Sequence, residues 1–219
     1  MTPALPPPAR LALRAIRVDF GGAEVLRGID ADVAPASLTV IAGPNGAGKS
    51  TLLEVMAGTL TPSAGRVEVA GATRAFVPQR SAVTEHLPVT VRDVVTVGAW
   101  GRIGPWRALG RTARRAVDDA LEAVDLVHLQ RARFHTLSGG QRQRALLAQG
   151  LARGADLLLL DEPTTALDAE SAGRILATMR TEADRGAAVV CVSHDRAVID
   201  AADALMAIDD GRLVEPAMA

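Results

Sequence analysis

Residues Gly43-Pro44-Asn45-Gly46-Ala47-Gly48-Lys49-Ser50-Thr51 have the composition and spacing of a loop that holds a chain of phosphates. They satisfy the pattern G-x-x-x-x-G-K-[ST]. Three glycines remove Cβ atoms that would collide with phosphate oxygens, so the backbone can wrap closely around the anion. A helix starting at the end of the loop aims its unpaired N–H groups at the same charge. Lys49 then reaches the β- and γ-phosphates, and the Ser50 hydroxyl is placed to ligate Mg²⁺. The context favours this over an incidental glycine-rich turn. Leu38-Thr39-Val40-Ile41-Ala42 before the loop reads as a buried strand, and Leu52 to Ala57 after it reads as a helix. The chemistry implied is the binding of a nucleoside triphosphate.

Two other clusters suit the same ligand. Asp161-Glu162 directly follows Leu157-Leu158-Leu159-Leu160. A buried parallel strand delivers the carboxylates at its C-terminal end to the crevice where ligands of open α/β sheets bind. Asp161 there would hold Mg²⁺ through water, and Glu162 would polarise the water that attacks the γ-phosphate. In Leu137-Ser138-Gly139-Gly140-Gln141, Ser138 and Gln141 form a capping box that opens a helix running through Ala152. Each glycine in that first turn weakens helix formation by about 1 kcal/mol relative to alanine. A cap alone does not explain them, whereas close approach of an anion to the exposed N–H groups does. This helix end is remote in sequence from Lys49, so one chain would carry two half-sites for one triphosphate.

The elements that must position these groups follow from periodicity. Arg10 to Phe20 alternates apolar residues and reads as a strand, Gly21-Gly22 turns it, and Val25 to Val33 alternates again. With a short strand at Arg66-Val67-Glu68-Val69 these predict an antiparallel patch beside the phosphate loop. Thr73 to Val77 is a further strand ending at Pro78-Gln79. From Thr90 to Ala152 the pattern turns helical, with Ala113, Ala116, Val117, Ala120, Leu121 and Val124 on one face. Gly98 to Trp106 reads as a loop from its glycines and proline. Strand character returns at Leu157, followed by a helix from Ala169 to Arg185 and a strand from Ala187 to Val192. A short helix from Asp195 and a hairpin turning at Asp209-Asp210-Gly211 complete the order. Apolar strands alternating with helices imply a parallel sheet covered on both faces.

Composition narrows the class. The 219 residues suffice for one well-buried core, and 24 Lys and Arg against 25 Asp and Glu give no basic surface for nucleic acid. No apolar run approaches the roughly 20 residues of a membrane-spanning helix. The proline-rich start lacks an apolar signal-peptide core and reads as a flexible arm. Cys191 lies in an apolar strand and reads as a buried thiol. His86, His128 and His135 show no metal-ligand spacing with one another or with Cys191. Arg142-Gln143-Arg144 reads as a solvated helix face. Gly150 interrupts the same helix, either loosening it or admitting a close contact.

Taken together, these motifs resemble the ATP-binding cassette (ABC) transporter ATPases, from about Leu11 to Val214, with Leu137 to Gln141 matching that family's signature segment. The resemblance implies an α/β fold with a P-loop NTPase core of the ABC ATPase type, a mixed sheet with an antiparallel β patch. It also implies an inserted α-helical subdomain at about residues 80–153 of a single 11–219 domain, after a flexible arm at 1–10. The ligands implied are ATP and Mg²⁺. Gln79 resembles the glutamine that contacts Mg²⁺ and senses the membrane partner, Asp168 the loop that reaches across a dimer, and His194 the histidine that hydrogen-bonds the γ-phosphate. Phe20 sits where the family stacks an aromatic on adenine. Two copies are expected to pair head to tail, each ATP lying between the phosphate loop of one and Ser138, Gly139, Gly140 and Gln141 of the other.

A single cassette of this kind resembles the separate ATPase subunit of an importer, docked at the cytoplasmic face of the cell membrane on an integral permease. A solute-binding protein outside the membrane is then an indirect partner. Leu87 to Val95, followed by Gly98 and Gly101, resembles the zinc and manganese importer branch, with iron-chelate or haem cargo as the alternative. Trp100 and Trp106 are candidates for the permease-facing surface. A cassette acting on ribosomes or nucleic acid, or serving as an assembly scaffold, is the competing class.

Overall fold

Apolar strands without polar alternation need cover on both faces. In the computed structural model, which describes residues 10–79, 88–103, 109–165 and 167–215, they have it. The N-terminal strands β1 (Leu11–Phe20) and β2 (Ala23–Val33) form a hairpin, followed by β3 (Ser37–Ala42), α1 (Lys49–Ala57), β4 (Ala64–Val69) and β5 (Arg74–Val77). Helices α2 (Val91–Ile103), α3 (Arg111–Ala123) and α4 (Gly139–Ala152) come next, with 3-10 turns at Val127–Leu129 and Phe134–Thr136. The chain then runs through β6 (Leu157–Asp161), α5 (Ala169–Asp184), β7 (Ala188–Val192), α6 (Arg196–Asp200), β8 (Ala204–Asp209) and β9 (Arg212–Val214).

Strands β2, β1 and β4 form the expected antiparallel patch, in that order. The main sheet runs β5-β6-β7-β3-β8-β9, parallel except for the closing β8–β9 hairpin. Its two faces serve two cores. Leu158 and Leu160 of β6 and Val189 and Cys191 of β7 pack with residues of α2 to α6. Leu157 and Leu159, with Ala188, Val190 and Val192, pack with α1 and the antiparallel patch. Period-two alternation therefore sends successive leucines to opposite cores, each buried side chain contributing about 1.5–3 kcal/mol. Cys191 is fully buried, and burial pushes its thiol pKa well up, so it is an inert strand residue.

Two expectations change on contact with the structure, and one open question closes. Gly98 to Gly101 belong to α2 and not to a loop, and Trp100 is half-buried on that helix; Trp106, like His86, lies outside the described residues. The glycines mark a helix crossing. A Cβ at Gly98 would lie 1.8 Å from the Gln149 carbonyl oxygen of α4, so the two backbones approach as closely as glycine allows. The second ambiguity, at Gly150, resolves as close contact: a Cβ there would meet Val77 Cγ2 at 2.9 Å and Leu158 Cδ1 at 3.3 Å. Finally, the Arg142-Gln143-Arg144 stretch is half-buried and not a solvated face. Arg142 donates to the carbonyls of Leu137 and His135, and Arg144 to that of Val124, tying α4 to the chain before it.

The same substitution should have opposite signs at two helical glycines. Gly98→Ala should destabilise the protein by about 1–3 kcal/mol through overpacking against α4. Gly173→Ala, at an exposed position of α5 where an added Cβ meets nothing within 4 Å, should stabilise it by up to about 1 kcal/mol. Urea unfolding of both variants measures the two effects.

Candidate functional site

Strands β6, β7 and β3 are neighbours in the sheet, and the groups of interest leave their C-terminal ends side by side. From β3 the chain enters the phosphate loop and then α1, whose N-cap is Gly48 at φ 100°, a left-handed conformation that suits glycine. The Lys49 ammonium lies across the loop and donates to the carbonyls of Gly43 at 2.9 Å and Pro44 at 2.7 Å. Ser50 Oγ donates to Asp161 Oδ1 at 3.2 Å, joining the start of α1 to the end of β6. A cleft of about 350 Å³ opens here, lined by the loop, the first turn of α1, Val25 of β2 and Glu162.

Asp161 is only 8% exposed. Burial raises its pKa above the ordinary value, and the charges of Glu162 and Glu54 act the same way, against the Ser50 hydrogen bond and Lys49. A hydroxyl and a carboxylate meeting beside the cleft offer the hard oxygen ligands that Mg²⁺ prefers, and a dication would relieve the repulsion on Asp161. The residues present therefore fit that ion.

Glu162 adopts φ 46°, rare for a residue with a Cβ and costing on the order of 1–3 kcal/mol. The surroundings over-determine it. Its N–H donates to the Val192 carbonyl at 3.0 Å, which extends the β6–β7 pairing by one bond. Its Oε2 accepts from Gln79 Nε2 at 2.8 Å and from Thr165 Oγ1 at 2.9 Å. The exposed His194 places Nδ1 4.0 Å from Oε1. Gln79, Glu162 and His194, leaving β5, β6 and β7, thus meet at the lip of the cleft. The carboxylate is held by two donors and keeps one oxygen toward the histidine, a geometry able to orient water.

The other predicted residues take separate places. Phe20 ends β1, paired with Ala23 at the start of the strand that supplies Val25, and is 54% exposed. Ser138 and Gln141 form the expected capping box at the N-terminus of α4, with bonds of 3.3 and 3.0 Å. None of the described residues lining the cleft comes from this segment. An added Cβ at Gly139 would meet nothing within 4 Å, whereas at Gly140 it would lie 3.1 Å from Leu167 Cδ2, so the second glycine also has a reason within the chain. The Asp168 carboxylate caps α5 through the Ser171 N–H and hydroxyl, and these bonds hold its pKa below the usual value. Sequence reasoning did not single out Thr165 as an anchor of Glu162 or Val25 as a wall of the cleft. The three-residue spacing from Glu162 to Thr165 was the available signal for the first; the second had none.

The ABC transporter family model matches residues 26–165. The hemin import ATP-binding protein HmuV of Nocardia farcinica is 43% identical over 86% of this chain and 69% of its own length. The manganese transport system ATP-binding protein MntA of Synechocystis is 37% identical over 76% of this chain and 68% of its own, and the zinc transport system ATP-binding protein TroB of Treponema pallidum 38% over 78% and 67%. Among solved structures, an inward-facing transporter described as of the metal-chelate type superposes with a TM-score of 0.83 at 28% identity, covering 94% of this chain and 82% of that one.

An acid whose pKa is higher in the folded than in the unfolded state loses stabilising effect as pH rises from the unfolded value through the folded one. Charging the buried Asp161 as pH rises towards neutral therefore weighs against the fold. Asp161→Asn should raise the thermal midpoint at pH 7 in the absence of nucleotide and narrow the gap between the two proteins as pH falls, while lowering nucleotide turnover about a hundredfold. Calorimetry across pH, with a turnover assay, checks both signs.

Proposed function

The chain belongs to the ABC transporter family, and from that membership we propose that it energises import of transition-metal cargo through a separate membrane permease. Its activity is ATP hydrolysis of the P-loop NTPase type. The observation that carries the assignment is the meeting of Lys49, Ser50 and Glu162 in one cleft, with Asp161 bonded to Ser50 at the end of β6. Relatives named for hemin stand beside relatives named for manganese and zinc at comparable identity, which supports a cargo class that includes both ions and chelates.

In this mechanism the amides of residues 43–51 cradle the phosphates, Lys49 leaves the loop carbonyls for the β- and γ-phosphates, and Phe20 stacks on adenine. Ser50 and Asp161, with Gln79 beside them, would hold Mg²⁺, which when bound offsets the charge that develops on the phosphoryl oxygens. Glu162, steadied by Gln79 and Thr165, orients and polarises the attacking water, and His194 donates to the γ-phosphate. The half-site at Ser138 serves a second copy. Two chains related by a two-fold axis place Ser138, Gly139, Gly140 and Gln141 of each against the ATP of the other, and the Asp168 segment lies between them.

Permease docking falls to a groove of about 380 Å³ between β5, α2 and α4, floored by Phe76, Val77 and Pro78 and edged by Val97, Gly98 and Arg153. It adjoins Gln79, so seating a short permease helix there bears on Glu162 through one side chain. Trp100 does not line this groove. Among the described residues no helix is long and apolar enough to cross a membrane, in keeping with a subunit that docks from the cytoplasmic side.

Reconstituted in liposomes with its permease and solute-binding protein, the chain should drive ATP-dependent uptake of zinc, manganese or hemin. Accumulation of none of the three would defeat the import assignment. In the same system Glu162→Gln should lower hydrolysis about a hundredfold or more while ATP still binds; unchanged turnover would remove Glu162 from its role.

A further inference from the structure

The turn between β8 and β9, Asp209-Asp210-Gly211, takes no part in the chemistry above, yet its contacts converge on the nucleotide cleft. The Gly211 N–H donates to the Ala47 carbonyl at 3.1 Å, and the Gly211 carbonyl accepts from the Arg27 N–H of β2 at 2.8 Å. Gly211 has φ +72°, and an added Cβ would lie 2.3 Å from the Val25 carbonyl oxygen. At the start of the phosphate loop, a Cβ on Gly43 would lie 2.0 Å from the Ile208 carbonyl oxygen. The hairpin backbone thus touches both ends of the loop and the strand beside it. Val25 and Gly48, on either side of these contacts, both line the cleft.

The consequence follows from peptide planarity. The Ala47 C=O and the Gly48 N–H belong to one rigid unit and point in opposite directions. Holding the carbonyl on Gly211 therefore turns the Gly48 N–H away from the hairpin, to the side where Gly48 borders the cleft. Ala47 is 4% exposed, so its carbonyl without this donor would stay buried and unpaired or would rotate, taking the Gly48 N–H with it. The Arg27–Asp210 ion pair beside it is solvent-exposed at its aspartate and contributes little.

Resting on the ATP assignment of this cleft, we propose that Gly211 is a positioning residue for ATP binding. Through Ala47 it aims the Gly48 amide at the phosphates and keeps that amide in register with the Val25 wall. The cradle holds substrate and transition state alike, so loosening it changes KM and leaves kcat nearly alone.

The test compares MgATP binding by titration calorimetry with KM and kcat for ATP hydrolysis in the full chain. Gly211→Ala, strained in φ and crowded against Val25, should raise KM about tenfold with kcat within about threefold of the parent. An amide-to-ester replacement at the Asp210–Gly211 bond deletes only the N–H donor and should reproduce the KM rise even if Gly211→Ala folds poorly. Asp210→Asn, which removes the ion pair and keeps the backbone bonds, should leave KM unchanged. Parent-like KM and affinity in the folded ester variant would overturn the proposal, as would an equal fall in kcat and kcat/KM. A parent chain that binds no MgATP would instead defeat the ATP assignment itself.

Discussion

A loop that turns its amides inward around an anion must have its carbonyls satisfied from outside, and most of this structure is arranged around that requirement. Gly211 takes the carbonyl of Ala47, and the first turn of α1 takes that of Gly48. Each partner comes from an element fixed by a different packing unit. Helix α1 sits between the two sheets, and the β8–β9 hairpin closes one edge of the main sheet. The site is rigid because its supports belong to the core.

The lip of the cleft, where β5, β6 and β7 end, has a related logic. Three parallel strands end together, and each contributes one or two polar residues within two positions of its last buried apolar one. Asp161 remains in the wall, where burial disfavours its charge; Glu162, one residue further, turns outward into a left-handed conformation held by Val192, Gln79 and Thr165. Adjacent carboxylates thus receive different surroundings and suit different tasks. The strain and the buried charge are both unfavourable for the isolated fold, and a cation beside Asp161 would relieve the second.

Much of this was legible in the sequence because its signals are local. The phosphate loop, the apolar strands, the capping box at Ser138 and the hairpin turn at Gly211 each occupy a few consecutive residues with one physical interpretation. Gly98 was not legible as a helical residue, since glycine marks a turn or a close backbone crossing and only the position of α4 decides which. Arg142 and Arg144 read as surface because their acceptors are backbone carbonyls, which leave no mark in sequence. The pairing of Gln79 with Glu162 spans 83 positions, and that of Gly211 with Ala47 joins opposite ends of the domain. Such contacts are set by strand order, and periodicity contains no strand order.

One chain supplies the phosphate cradle, the carboxylates and the histidine, while its own Ser138 helix end stays out of the cleft. In the proposed dimer a second copy completes the site. A structure of the Glu162→Gln variant with MgATP tests it most directly. Two copies related by a two-fold axis are expected, with Ser138 Oγ and the Gly140 N–H of each within hydrogen-bond distance of the γ-phosphate held by the other. A nucleotide-bound structure in which that helix end faces only solvent would contradict it.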